Sequence, residues 1–202
     1  MKSIFRTFRD LKKISNVTDA EERYVALQLM KSLPADDYAV LNNVLIPYSG
    51  NIGTSQIDHI VVSVYGIFCI ETKSHKGWIF GSKVRKLFTQ VLYKNRYRIQ
   101  PNPVEQNKTH IKALREILGK KVKVPIVNIV AFPSADKFFI DGYENVGSLN
   151  DLINTIAQYS DKIYRYSEAK EIIESICTYN MKHSSAHAYH THAVSVAYAH
   201  SL

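Results

Sequence analysis

Asp58, Glu71 and Lys73 are the residues whose types and spacing could do chemistry. They punctuate two apolar runs in IDHIVVSVYGIFCIETK, residues 57–73. Each run has the length of a β-strand, and strand side chains alternate between faces with a period of two. Asp58 then shares a face with Gln56, Ile60 and Val62, and Glu71 shares one with Ile67, Cys69 and Lys73. A tight turn centred on Val64 and Tyr65 would set Asp58 across from Glu71, with Cβ atoms roughly 4.5–5.5 Å apart. A loop of different parity, which Gly66 would permit, shifts that register by one residue.

Two carboxylates side by side repel, and one tends to hold its proton. A divalent cation relieves the repulsion, and hard oxygen ligands suit Mg2+ or, as a substitute, Mn2+. Such an ion polarises a phosphoryl oxygen, acidifies a bound water and stabilises a leaving alkoxide. Lys73 beside the acids would orient the attacking water or face charge developing on phosphate. The chemistry this points to is phosphodiester hydrolysis. The same residues could instead form an exposed cross-strand salt bridge, because Glu-x-Lys is an abundant pattern, and spacing alone leaves both readings open.

The surrounding elements must bring these groups together. Thr18-Asp19-Ala20-Glu21 reads as a capping box, which predicts a helix from Thr18 that Pro34 ends. Tyr38 to Ile46 reads as a strand, followed by strands at Gln56–Val64 and Ile67–Lys73. Gly77 to Tyr97 is β-rich, with segments GWIFG, LFTQVLY and NRYRI. A helix follows from Pro103 to Leu118, with Gly119 as its stop. The apolar run VPIVNIVAF, 124–132, suits a central strand covered on both faces. Helices are expected at 149–159 after Ser148 and at 168–180 after Ser167. This order predicts a mixed α/β sheet with helices on its faces.

The stretches GTSQIDHIVVSVYGIFCIETKSHKGWIFGS (53–82) and TQVLYKNRYRIQPNPVEQNKTHIKAL (89–114) resemble the nuclease-related domain (NERD) family. The resemblance extends over about residues 18–135. It implies the PD-(D/E)XK nuclease superfamily, with a restriction-endonuclease-like αβββαβ core, here followed by extra C-terminal helices. Carried over by position, it makes Asp58 and Glu71 metal ligands and Lys73 the catalytic lysine. The Thr72 carbonyl would complete the metal's ligand set. A helix glutamate of the family falls on Glu22, which would be an auxiliary metal ligand or water-holder, with Glu21 set aside because the capping box uses it. Gln106 matches a glutamine on the helix after the sheet, and Gln56 the residue just before the aspartate. Either amide could meet a metal-bound water or a phosphate. Two positions depart from the pattern: Glu21 stands for a glycine, and Val64 for a turn proline.

Composition fits this reading. The 202 residues hold 26 Lys+Arg against 18 Asp+Glu, a net charge of +8, which favours polyanionic partners. Lys94, Arg96 and Arg98 alternate along NRYRI and its approach, so on a strand they would face one way and could neutralise phosphates. The expected partner is nucleic acid, DNA first, and a basic module that binds without cutting is the alternative. Trp78, after Gly77, reads as a packing anchor, with a base-stacking platform as the alternative; His59 reads as core, and His110 could reach the cleft. Cys69 and Cys177 lie in apolar segments, which suits a reducing cytoplasm. No apolar run is long enough to span a membrane, so no stable membrane insertion is expected. The organisation expected is a basic amphipathic segment (1–17), a nuclease-like domain (18–135), a helical extension (136–182) and a His-rich tail (183–202).

Overall fold

The computed structural model describes residues 19–49 and 53–181. The basic segment, Thr18 and the His-rich tail lie outside the described residues. Helix α1 (Ala20–Ser32) is capped by Asp19, whose carboxylate accepts the N–H groups of Glu21 and Glu22 at 2.8 and 3.1 Å. This corrects the capping box expected from Thr18. An aspartate at the N-cap satisfies two of the amides that a helix start leaves unpaired, so Glu21 is not the acid that reaches back.

Three strands follow: β1 (Tyr38–Pro47), β2 (Thr54–Ser63) and β3 (Ile67–Thr72). β1 pairs antiparallel with β2, and β2 with β3. After an inserted β-region, helix α2 (Pro103–Leu118) crosses over to β7 (Val127–Ala131), which lies parallel to β3. The first sheet therefore runs β1-β2-β3-β7-β9, with β9 (Val146–Gly147) at its edge. This is the mixed αβββαβ arrangement expected of a restriction-endonuclease-like fold. Helices α2 and α4 (Tyr166–Tyr179) cover one face, around Ile60, Val62, Ile67 and Cys69. α1 and α3 (Leu149–Ala157) cover the other, around Val61, Phe68 and Ile70. The strand predicted at 124–132 is shorter than expected. α4 begins at Tyr166 rather than after Ser167, because Glu168 accepts the Arg165 N–H at 2.8 Å.

The inserted region forms a second sheet of its own. β4 (Gly77–Ser82), β5 (Leu87–Leu92) and β6 (Asn95–Ile99) pair antiparallel in sequence, and β8 (Ala135–Asp141) adds parallel to β4. β8 and β9 fall where only helices were expected, so the stretch after 135 contributes strands to both sheets. One face of the second sheet, with Ile79, Phe88 and Ile99, packs on Val104, Val130 and Phe132.

Candidate active site

The hairpin register places the acids. Ser63 N donates to Gly66 O at 2.9 Å, closing a turn whose central residues are Val64 and Tyr65. The β2–β3 ladder then runs Val62–Ile67, Val61–Phe68, Ile60–Cys69 and His59–Ile70. Asp58 and Glu71 would be the next pair, but the ladder stops one step short. Instead the Thr72 N–H donates to Asp58 Oδ2 at 2.7 Å, while Lys73 N turns to Ala131 O on β7. The acids thus stand where β2 and β3 part.

An irregularity in the neighbouring strands accompanies this parting. In β1, Ala39 and Leu41 share an apolar cluster with Val44 and Ile46, and in β2 Ile57 shares it with Ile60 and Val62. A strict period of two cannot put both sets on one face, so the alternation slips at Asn42-Asn43 and at Asp58-His59. Asn43 adopts φ 48°, a left-handed conformation that Asn tolerates better than most residues. The face predicted for Gln56 is corrected accordingly: Ile57, not Gln56, joins the cluster. The Gln56 amide donates to Asn43 Oδ1 at 2.9 Å.

Lys73 lies just beyond β3, with Nζ 2.7 Å from Glu71 Oε1 and donating to Gln106 Oε1 at 3.0 Å. Its side chain keeps 18% of its surface exposed while that of Glu71 keeps 3%, so the ammonium lies on the solvent side of the pair. From α2, His110 Nε2 comes within 3.2 Å of Glu71 Oε2, without the alignment of a hydrogen bond. Ser55 Oγ lies 2.7 Å from His110 Nδ1; when Ser55 donates, the imidazole proton sits on Nε2, facing Glu71. Asn107, a position the sequence reading passed over, fixes α2 against the sheet. Its amide donates to Cys69 O, Asn128 Oδ1 and Ile129 O at 2.8–3.0 Å, and its Oδ1 accepts from the Cys69 thiol. The signal was present in the sequence. Asn107 lies four and seven residues before Ile111 and Leu114, so it is a polar residue in the apolar stripe of the helix.

The electrostatics are those of crowded carboxylates. Burial, then Glu71 and Glu22, push the Asp58 carboxyl well above its ordinary range, against the Thr72 N–H and Lys73. Glu22 is pushed up to about 7 by burial, Asp19 and Glu71. Burial also acts to raise Glu71, but contacts with His110 and Lys73 outweigh it and hold the carboxyl below its usual value. Glu22 therefore belongs to this acidic centre. Glu21 does not: its Oε1 accepts from Ser134 Oγ at 2.6 Å. His59, wholly buried and donating from Nδ1 to Asn42 Oδ1 at 2.8 Å, is lowered to about 3 by burial and is a neutral core residue.

Among the described residues, no group of three or more His, Cys, Asp or Glu side chains is set to hold a metal ion by itself. The donor chemistry nevertheless fits one. Glu71 Oε2 is buried without a hydrogen-bond partner, and Thr72 Oγ1, His75 Nδ1 and His110 Nε2 are in the same condition. Mg2+ commonly takes one or two carboxylates and fills its remaining positions with water and substrate phosphate. Asp58, Glu71 and the Thr72 carbonyl would supply that partial set.

The expected phosphate contacts lie elsewhere. Arg96 and Arg98 are exposed on β6, the edge of the second sheet. Lys94 is corrected: it is no strand residue but sits with Tyr93 in the β5–β6 turn, at φ 73° and 49°. Positive φ at both central residues is what a two-residue hairpin turn demands. Trp78, expected as a packing anchor, packs on Phe139 at 5.7 Å but stays 43% exposed.

The fold, and the lysine held beside a carboxylate pair where two strands separate, define a nuclease-like α/β domain. Residues 18–133 match the nuclease-related domain family, and the chain belongs to it. The chain is also 34% identical over 166 residues to an uncharacterized protein of Bacillus anthracis, covering 80% of this chain and 76% of that one. No solved structure matches the chain. Among the described residues, no helix is long and apolar enough to cross a membrane.

Proposed function

We propose that the chain is a divalent-cation-dependent nuclease that hydrolyses phosphodiester bonds, with DNA as substrate and Mg2+, or Mn2+ in its place, as cofactor. The observation that carries this reading is the placing of Lys73 Nζ between Glu71 Oε1 and Gln106 Oε1, beside a buried Glu71 Oε2 that accepts no hydrogen bond and faces His110 Nε2 at 3.2 Å. Asp58, Glu71 and the Thr72 carbonyl would hold the cation, which when bound supplies Lewis-acid activation of water and phosphoryl oxygen. Lys73 orients the attacking water and faces the charge that develops on the phosphate. Gln106 and Glu71 hold the ammonium in place, and His110 holds Glu71. Glu22, whose carboxyl is pushed up to about 7 by burial, Asp19 and Glu71, would be an auxiliary ligand or hold a bound water. Gln56 is the further amide beside Asp58 that could meet a phosphate or a bound water.

A second reading has its own support. The Lys73–Glu71 ion pair partly satisfies the centre without a cation, as a domain that binds nucleic acid but does not turn over would require. One experiment separates the two: incubation of plasmid and linear DNA with the full chain in Mg2+, Mn2+ or EDTA. Metal-dependent cutting that is lost in Lys73→Ala supports the nuclease. Salt-sensitive binding without cutting supports the binding module, and cutting that persists in purified Lys73→Ala contradicts the proposed mechanism.

A further inference from the structure

The second sheet buries one face and presents the other to solvent. Pairing across its strands gives two outward rows, Arg96–Val91–Trp78–Lys137 and Arg98–Thr89–Phe80–Phe139. An outward sheet face ordinarily carries polar residues. Here Trp78 and Phe139 are 43% and 46% exposed. Phe80 and Phe139 stack with centroids 4.5 Å apart and planes 8° from parallel, and Trp78 leans on Phe139 at 5.7 Å. Lys137 Nζ lies 5.2 Å above the Trp78 ring. No acid occurs in either row; Asp136 lies at the register shift between Gly77 and Trp78, and Asp141 pairs with Ser82 at the far end.

We propose that this face is a stacking platform for the unpaired bases of a single-stranded nucleic acid. Trp78, Phe80 and Phe139 supply the aromatic surface, and Arg96, Arg98 and Lys137 neutralise the backbone phosphates. Exposed aromatic rings interleaved with cations are what sequence-tolerant single-strand binding uses, because every base has a π-face and every nucleotide a phosphate. Duplex DNA keeps its bases stacked inside the helix and cannot use such a surface in the same way. β4 begins at Gly77, shortly after Lys73, so the chain passes directly from the acidic centre into the second sheet. The inference rests on nucleic acid being the partner, as in the function proposed above, but not on cleavage.

Trp78 is the single tryptophan of the chain, so its emission reports on this face alone. The test is a titration of the full-length chain in EDTA with oligo(dT) and with a duplex of equal length. Labelled-oligonucleotide anisotropy follows Trp78→Ala, Trp78→Phe and Phe139→Ala, with thermal melts confirming that each variant is folded. The platform predicts saturable, salt-sensitive quenching by oligo(dT) and weaker quenching by duplex. Affinity should fall about tenfold in Trp78→Ala and in Phe139→Ala, and be largely kept in Trp78→Phe. Oligo(dT) binding with unchanged emission, or unchanged affinity in both alanine variants, would overturn it. So would a homodimer that Phe139→Ala dissociates in sedimentation, since a second copy would then be the occupant. Quenching without cleavage sinks only the nuclease reading, and cleavage without quenching sinks only the platform.

Discussion

In the first sheet, charge is drawn inward: Asp58 and Glu71 sit at the parting of two largely buried strands. In the second, aromatic surface is turned outward, with Trp78 and Phe139 standing among arginines and lysine. Both arrangements leave groups short of the environment they prefer. Burying carboxylates costs them hydration, and exposed rings keep apolar surface in water. A ligand that brings a cation and phosphates to the first sheet and unpaired bases to the second would satisfy both. The comparison also separates two kinds of effect: loss at the first sheet should stop chemistry, and loss at the second should weaken binding.

The largest expected effect follows from that division. Lys73→Ala and Glu71→Ala should each reduce cleavage by about 10²–10³-fold or more, with circular dichroism unchanged. Equal cleavage by wild type and either variant would remove the first sheet from the chemistry. Next in size is a contrast at Asp58. Asp58→Asn keeps an oxygen to accept the Thr72 N–H, whereas Asp58→Ala leaves that amide unpaired. Urea denaturation should find the alanine variant less stable than the asparagine variant by about 1–3 kcal/mol, with both inactive.

A subtler effect is expected in pH. Glu22 binds its proton more tightly folded than unfolded, its carboxyl rising from 4.5 to about 7, and Asp58 is raised in the same direction. The Glu22 contribution to stability is complete below its unfolded value and is lost as pH rises through about 7, and that of Asp58 is lost in the same direction. Thermal melts in EDTA should show Tm falling across that window, with a shallower fall in Glu22→Gln and a smaller one in wild type when Mg2+ is added. A Tm that rises through neutrality in EDTA would contradict the crowding of these acids. The smallest effect belongs to the second sheet. Arg96→Ala with Arg98→Ala should lower the salt slope of DNA binding by about two, roughly one per phosphate contact, and leave the metal requirement alone.

The acid–lysine centre was legible because charged residues inside apolar strands are rare, and because a two-residue turn at Val64-Tyr65 fixes the register. The αβββαβ order was legible for a related reason: strand and helix periods change cleanly along this part of the chain. The choice between Glu21 and Glu22 was not decided by the sequence pattern, since either acid lies in the first turn of the helix. It took the cap at Asp19 and the bond from Ser134 to separate them. The aromatic platform was legible only as the second reading of Trp78, because Gly77-Trp78-Ile79-Phe80 has large apolar residues on both faces and a period of two does not say which face is buried. Strand β8 was hidden because ADKFFID places charged residues beside an adjoining pair of phenylalanines and so lacks a clean alternation. The slip at Asn42-Asn43 left a trace, a pair of amides in an otherwise apolar strand, whose meaning depends on contacts with β2.

The central claim is that Asp58 and Glu71 share a divalent cation beside Lys73. Crystals of the full chain soaked in Mn2+ and measured at the manganese edge test it most directly. The account predicts an anomalous peak between the two carboxylates, within reach of the Thr72 carbonyl. A map with no peak there, and with the Lys73 ammonium still paired to Glu71 at saturating Mn2+, would contradict it.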